Sequence, residues 1–432
     1  MKRYPVILAS FLIAGVASLT LYSTLEAKSA SNEATRIAAF KKFTKVVNAV
    51  ENYYVDPVKI DEIIRKALDG MLTNLDSHSA YLDAKQNKEM EIKTKGEFGG
   101  LGITVGMRDG ALTVIAPMEG TPADKAGIES GDIILKIDDK STIGMSIDEA
   151  VELMRGKPKT SVRLTIVRKG KEKPFETPIV RDIIKVQSVY AKIYKDDILY
   201  LRIATFDKNV VDSLRREINL QKGKARGIAL DLRNNPGGLL SEAVGTVDLF
   251  VDKGVIVSQK GRVEDENEVF NATKSGTILD IPLVVLVNGG SASASEIVSG
   301  ALQDHHRAVI VGEKTFGKGS VQIVMRLEGE EGDAIKLTVA RYYLPSGRSI
   351  QATGVTPDVE IKRVAVKEVN DDFEIKESQL KDHLQAKLGE LENKPPKEEK
   401  VAANTITEEQ LSNDYQLKSA FGILRGLIAL KN

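Results

Sequence analysis

The residues best suited to covalent chemistry are a serine and a lysine, Ser293 and Lys318, 25 positions apart. Ser293 follows the apolar run Ile281-Pro-Leu-Val-Val-Leu-Val287 and the small-residue turn Asn288-Gly-Gly-Ser-Ala-Ser293, and directly precedes a helix-like segment from Ala294 to Leu302. A side chain there sits where a helix start leaves backbone N–H groups unpaired and pointing outward. Lys318 lies in the loop Gly312-Glu-Lys-Thr-Phe-Gly-Lys-Gly319, after a second apolar run from Ala308 to Val311, and glycines let such a loop approach a ligand closely. Two strand ends therefore deliver a hydroxyl and an amine to one rim. A hydroxyl is a weak nucleophile until a base takes its proton, and a lysine serves as that base where its surroundings leave it neutral. Serine and lysine together suffice for acyl transfer.

The commoner base, histidine, is restricted to His78, His305, His306 and His383. If a straight helix begins at Ser293, His305 falls roughly 18 Å along its axis, at 1.5 Å per residue, which places a Ser-His-Asp triad out of reach. The chain has no cysteine, so disulfides and thiolate metal sites are excluded. No His/Asp/Glu cluster has metal-ligand spacing, so neither metal nor cofactor is expected. Lysine plus arginine and aspartate plus glutamate both number 61, and this balance gives nucleic acid no electrostatic handle.

Ser-Ala-Ser-Ala-Ser-Glu-Ile297, then Gly-Ala-Leu-Gln-Asp304, then Val-Gly-Glu-Lys-Thr-Phe-Gly-Lys-Gly-Ser-Val-Gln322 closely resembles the active-site region of the carboxy-terminal processing peptidases, also called tail-specific proteases. The resemblance implies Ser293 as nucleophile, Lys318 as base and Gln322 as the residue that orients the lysine. In that family an aspartate eleven residues after the serine is sometimes counted in the site, and Asp304 fills this position. Eleven helical residues span about 16 Å, which weighs toward a structural role for Asp304.

Strand-like runs (Ile198–Phe206, Ile228–Leu232, Val255–Ser258, Leu283–Val287, Ala308–Val311) alternate with helical ones (Val210–Asn219, Leu239–Leu249, Ala294–Leu302). This alternation predicts an α/β protease core, a largely parallel sheet with covering helices, resuming near Phe175 and ending near Val364. Ligands gather beyond the carboxyl ends of such strands, where the loops Asn288–Ser293, Gly312–Gly319 and Arg233-Asn-Asn-Pro-Gly-Gly238 all fall. The run Ala229-Leu-Asp-Leu-Arg-Asn-Asn-Pro-Gly-Gly-Leu239 also resembles the family. It implies that the backbone N–H groups of Gly238 and Ala294 stabilise the tetrahedral oxyanion, while Asp231 and Arg233 read as loop anchors.

Residues 96–172 have the order of a PDZ domain: a Gly-rich turn (Phe98-Gly-Gly-Leu-Gly-Ile103), strands around Arg108-Asp-Gly110, a short Pro122–Ala126 helix, Gly131–Ile137, a helix Ile147–Met154 and a closing strand Ser161–Val167. Such domains take a peptide C-terminus as an added strand and hold its carboxylate on successive backbone N–H groups, here those of Leu101, Gly102 and Ile103.

Residues 1–27 carry Lys2 and Arg3 before an uncharged run from Tyr4 to Leu25, the pattern of an export signal, long enough also to serve as a membrane anchor. Residues 34–95 begin with two amphipathic helices divided by Asp56-Pro57, which is expected to supply a cap and a helix-start proline, and Leu75-Asp-Ser-His-Ser-Ala-Tyr-Leu82 resembles a landmark of the same family, which implies a structural part for His78. Residues 173–364 form the protease core. Residues 365–432 are a charged linker, disordered around Lys394–Lys400, and a helical tail whose apolar face (Leu417, Ala420, Phe421, Leu424, Leu427, Ile428) is expected to pack on the N-terminal helices or a second subunit. The expected partners are proteins or peptides with exposed C-termini. A homodimer or higher oligomer and an adaptor protein are left open. A PDZ scaffold without catalysis would not need Ser293, Lys318 and the Gly237-Gly238 turn together, and a trypsin-like protease would need a catalytic histidine.

Overall fold

The computed structural model describes residues 33–363 and 405–431, apart from 109, 196, 265–266 and 328–331. Residues 1–27, read above as an export signal, His383 and the Lys394–Lys400 stretch lie outside the described residues. Among the described residues, no helix is long and apolar enough to cross a membrane.

The chain divides into two compact units. The first holds helix α1 (33–53), helix α2 (Ile60–Thr73) and strand β1 (Ala80–Leu82), which pairs antiparallel with Ala334–Lys336. Asp56-Pro57 does separate the helices, but α2 starts after Lys59, so the proline lies in the connection rather than at the first helical position. Phe40, Phe43 and Val46 on α1 remain exposed.

The second unit begins with α3 (Ala84–Lys95), capped by Asp83 and Gln86 in a reciprocal capping box. Strands β2 (Glu97–Gly100), β3 (Ile103–Arg108) and β4 (Ala111–Pro117) follow, then α4 (Pro122–Lys125), β5 (Ile133–Ile137), β6 (Lys140–Ser141), α5 (Ile147–Met154), β7 (Ser161–Val167), β8 (Phe175–Val180) and β9 (Asp182–Lys185). The sheet order β3-β4-β5-β7-β8 leaves β3 with a free edge facing α5. Leu112, Val114, Ile134, Leu164 and Ile166 fill its core with Ala150 and Met154 of α5. This PDZ domain extends further than expected: β8, read from sequence as the resuming core, pairs with β7 along its length. Its alternating pattern suits an edge strand of either sheet, and only the long-range pairing decides.

The remaining elements are β10 (Val189–Tyr194), β11 (Ile198–Ile203), α6 (Val210–Leu220), β12 (Gly227–Asp231), α7 (Leu240–Asp248), β13 (Val255–Gly261), β14 (Glu268–Asn271), β15 (Leu283–Val287), α8 (Ala294–Asp304), β16 (Val309–Gly312), β17 (Ser320–Arg326), β18 (Ala334–Tyr343), β19 (Val359–Glu360), α9 (Glu408–Ser412) and α10 (Tyr415–Lys431). The core sheet runs β10-β11-β12-β15-β16-β19; the β10–β11 pair is antiparallel and the other four pairs are parallel. Strands β12 and β15 are buried on both faces, which is why they read as continuous apolar runs. Leu283, Val285 and Val287 of β15 turn toward α6, α7 and α8, while Val284 and Leu286 turn the other way. The predicted strand at Val255 is present but joins β14 and β18 in an antiparallel sheet.

The second face of the core sheet is covered by the C-terminal segment of the same chain. Leu417, Ala420, Phe421, Leu424 and Ile428 of α10 pack on Tyr194, Ile198, Ala229, Val284, Leu286 and Val311. Each large side chain so buried contributes about 1.5–3 kcal/mol. The expectation that this helix packs on the N-terminal helices or a second subunit is therefore corrected. A side chain at Gly227 would press on Leu424 and Ile428 at 2.8–3.0 Å, so β12 admits the helix closely only because glycine stands there.

Candidate active site

Ser293 ends the β15–α8 turn with φ 54° and ψ −111°, a conformation that costs a non-glycine residue about 1–3 kcal/mol. The turn is held from both sides. The Ser291 hydroxyl donates to Leu232 O at 2.8 Å, the Ala292 amide donates to Asn235 O at 3.0 Å, and the Ser295 hydroxyl donates to the same carbonyl at 2.9 Å. Ser293 itself is only 9% exposed.

Glu296, one turn into α8, is wholly buried. Its Oε2 accepts from the amides of both Ser293 and Lys318 at 2.8 Å, and its Oε1 accepts from the Gly317 amide at 2.7 Å and the Thr315 hydroxyl at 2.6 Å. Because the Ser293 and Lys318 nitrogens share one acceptor, they lie no more than twice 2.8 Å apart. Four donors satisfy one buried carboxylate. The serine turn and the lysine loop are thereby joined into one piece, with the Phe316 amide bonded to Ser291 O as a further tie. The Lys318 side chain is half-buried.

The third loop closes on the serine. The Asn235 carboxamide, fully buried, donates to Ile203 O at 2.9 Å and accepts from the Gly237 amide at 2.9 Å. Gly237 and Gly238 have φ 100° and 150°. Phe206 donates to Gly237 O and accepts from the Leu239 amide, so the Gly238 N–H faces the opposite edge. Neither it nor the Ala294 N–H has an acceptor among the described residues. A Cβ on Gly237 would stand 2.8 Å from Ser293 Cβ and 3.0 Å from Ala294 N. The Gly237-Gly238 turn thus packs directly against Ser293 and the Ala294 amide.

The other candidates have partners of their own. Gln322, on β17, donates from Nε2 to Ser320 Oγ at 2.9 Å and Thr338 Oγ1 at 3.2 Å. Asp304 lies at the far end of α8, where it pairs with Arg348 at 2.9 Å and accepts from the Ser346 amide at 3.0 Å. Both contacts fasten the 345–348 loop to the end of α8. His305 is bonded through Nε2 to Val255 O at 2.7 Å, also away from the serine. Asp231 and Arg233 form an ion pair at 2.7 Å that fastens the 233–238 loop, in line with their reading as anchors.

In the PDZ domain, the carbonyls of Leu101 and Gly102 are taken by the Ala123 and Met118 amides, while the Leu101 and Gly102 N–H groups have no acceptor among the described residues. Gly102 has φ 76°, and a Cβ there would meet Thr121 at 2.4 Å. Ile103 opens the free-edged strand β3.

Residues 197–361 match peptidase family S41 and residues 113–168 match a PDZ domain. Over 97% of its length the chain is 41% identical to the carboxy-terminal-processing protease of Bartonella bacilliformis, of which it covers 96%. The chain belongs to the carboxy-terminal processing proteases. It is also 36% identical to carboxy-terminal processing protease CtpA of Bacillus subtilis, over 83% of this chain and 77% of that one. A solved photosystem II D1 C-terminal processing protease is similar at 29% identity and a TM-score of 0.42, covering 74% of this chain and 92% of that one. The protein is accordingly a serine endopeptidase carrying a PDZ domain.

Sequence reasoning about this protease missed Glu296 and Asn235. Ser293-x-x-Glu296 has the spacing of a capping box, which was the available signal. Its second task, gripping the 315–318 loop, is long-range and leaves no local trace.

Proposed function

We propose that this processing protease is exported, holds a substrate's C-terminus on its PDZ domain and cleaves nearby peptide bonds through an acyl-enzyme on Ser293. Lys318, in its neutral form, takes the proton from the Ser293 hydroxyl as the oxygen attacks the scissile carbonyl, and passes it to the departing amine. Water then attacks the ester by the same route, and Ser293 regains its proton. The Gly238 and Ala294 N–H groups receive the charge on the carbonyl oxygen in both halves, and the carboxamide oxygen of Gln322 orients the Lys318 ammonium.

The observation that carries this reading is the shared carboxylate: one buried oxygen of Glu296 holds the amides of the serine and of the lysine. Recognition of C-termini rests on the unfilled amides of Leu101 and Gly102 and the free edge of β3, into which Ile103 leads. Export, to a periplasmic or membrane-anchored position facing outward, rests on Lys2, Arg3 and the uncharged run that follows. Exposed Phe40, Phe43 and Val46 on α1 favour assembly with a second copy.

The test is digestion of a test protein with an unfolded C-terminus, followed by mass spectrometry, using wild type, Ser293→Ala and Lys318→Ala. Wild type should cut, and each variant should be inert while keeping its circular dichroism. Because the pair acts as a unit, the double variant should be no worse than either single one. Turnover in Lys318→Ala would assign the base elsewhere. A fusion of residues 1–40 to a reporter active only outside the cytoplasm tests the export reading, which a silent reporter would refute.

A further inference from the structure

Arg233 stands at the entrance to the oxyanion turn, two residues before the asparagine that holds the Gly237 amide. One side of its guanidinium faces its neighbour Asp231, with Nε at 3.0 Å and Nη2 at 2.7 Å. The other side faces Asp414, with Nη1 at 2.9 Å and Nη2 at 2.8 Å. Asp414 belongs to the C-terminal segment and also caps α10, accepting from the Leu417 amide at 3.0 Å. The helix gains its attachment from Leu417, Phe421, Leu424 and Ile428, and that packing needs no ion pair at the catalytic end of the sheet. The Arg233 side chain is 14% exposed, and Nη1 also donates to Gln416 Oε1 at 3.2 Å, so losing Asp414 leaves a largely desolvated cation with one carboxylate and one carboxamide oxygen in place of two carboxylates and that oxygen.

We infer that Asp414 is a positioning residue for hydrolysis: by holding Arg233 from outside the loop, it keeps the 233–238 turn at the register that aims the Gly238 amide at the substrate. The C-terminal segment is then part of the catalytic apparatus as well as a cover for the sheet. This rests on the Ser293–Lys318 reading proposed above.

The experiment compares full-length wild type with Asp414→Asn, Asp414→Glu and Ile428→Ala. It measures kcat and KM on a peptide, the rate at which a fluorophosphonate labels Ser293, and the melting temperature. Asp414→Asn should lose about tenfold in kcat and in labelling rate, with KM within about twofold, a coupling typical of contacting groups. Asp414→Glu should recover most of that loss. Ile428→Ala loosens the helix by packing alone, so it should melt lower yet keep wild-type kcat well below its melting point. Wild-type kcat in Asp414→Asn overturns the inference, as does a loss of kcat that follows melting temperature equally in both variants. Should Asp414→Asn fail to fold, an Asp414→Glu that melts like wild type but labels Ser293 about tenfold more slowly than wild type overturns it as well, because the retained charge would then fail to retain the rate. If wild type is not labelled on Ser293, the catalytic reading itself falls and takes this one with it, an outcome plainly different from labelled wild type with an indifferent Asp414.

Discussion

The Cβ that Gly237 lacks would stand 2.8 Å from Ser293 Cβ, closer than carbon atoms approach without something shifting. The same point is 3.0 Å from Ala294 N, so under the proposed mechanism a methyl group there fills the space where an oxyanion would meet that donor. Gly237→Ala should therefore lower kcat by about a hundredfold to a thousandfold, the usual result of disabling an oxyanion donor. The residue's φ of 100° adds strain, and the melting temperature should fall modestly. Peptide turnover and circular dichroism measured together check this; an active, folded Gly237→Ala would contradict it.

Glu296→Gln keeps shape and volume but replaces one oxygen with a donor. Whichever way the amide turns, two of the four donors around it then meet an NH2 group. Such a buried conflict costs about 2–4 kcal/mol. We expect lower thermal stability together with loss of activity, because the Ser293 turn and the Lys318 loop lose their common tether. Thermal melting and fluorophosphonate labelling test it, and a variant that matches wild type in both would show the tether to be dispensable.

Acid should attack two fastenings. Burial pushes the Asp132 carboxyl up, but bonds from Arg168 and the Glu129 amide outweigh this and hold it below its usual 3.8. For Asp414, burial is likewise outweighed by Arg233 and the Leu417 amide. A carboxylate with a depressed folded-state value adds stability that is fully present above the unfolded value and is lost as pH falls through the folded one. Melting temperature should therefore vary little through these groups from neutral pH down to about 5 and drop below about 4. Asp132→Asn should be less stable at neutral pH and show a shallower acid limb; an unchanged limb would exclude Asp132.

Gly102→Ala should divide recognition from chemistry. Its Cβ would press on Thr121 at 2.4 Å, and its φ of 76° disfavours any side chain, so the turn carrying the Leu101 and Gly102 amides must move. Binding of a peptide with a free C-terminus should weaken by about tenfold or more, the worth of a charge-assisted hydrogen bond. Labelling of Ser293 should stay at the wild-type rate. Calorimetry with free and amidated peptides checks the first part; equal binding of both by wild type would mean that this turn does not read carboxylates.

Much of this was legible along the chain where local order dictates it. The run Leu283–Val287 is apolar at every position because both faces of its strand are covered, and small residues with Ser-x-x-Glu mark the turn into α8. The pairing of Phe175–Val180 with Ser161–Val167, and of Val255 with β14 and β18, depends on strands far away in sequence. An alternating run alone does not name its neighbour. The docking of α10 was hidden for a related reason, since an apolar stripe states that something must cover it but not what. Glu296 was visible as a cap and invisible as a clamp.

Nine successive residues of α8, Ala294 to Leu302, are buried, so the helix that starts at the serine has no wet side. Beyond its first turn its amides are bonded within the helix and have no local route to water, and deuterium should enter them only when the whole core opens. Ser293 is therefore anchored at the start of a segment expected to open last. For a protease, exposed to cleavage by its own kind whenever it opens, working life then equals the lifetime of its own fold.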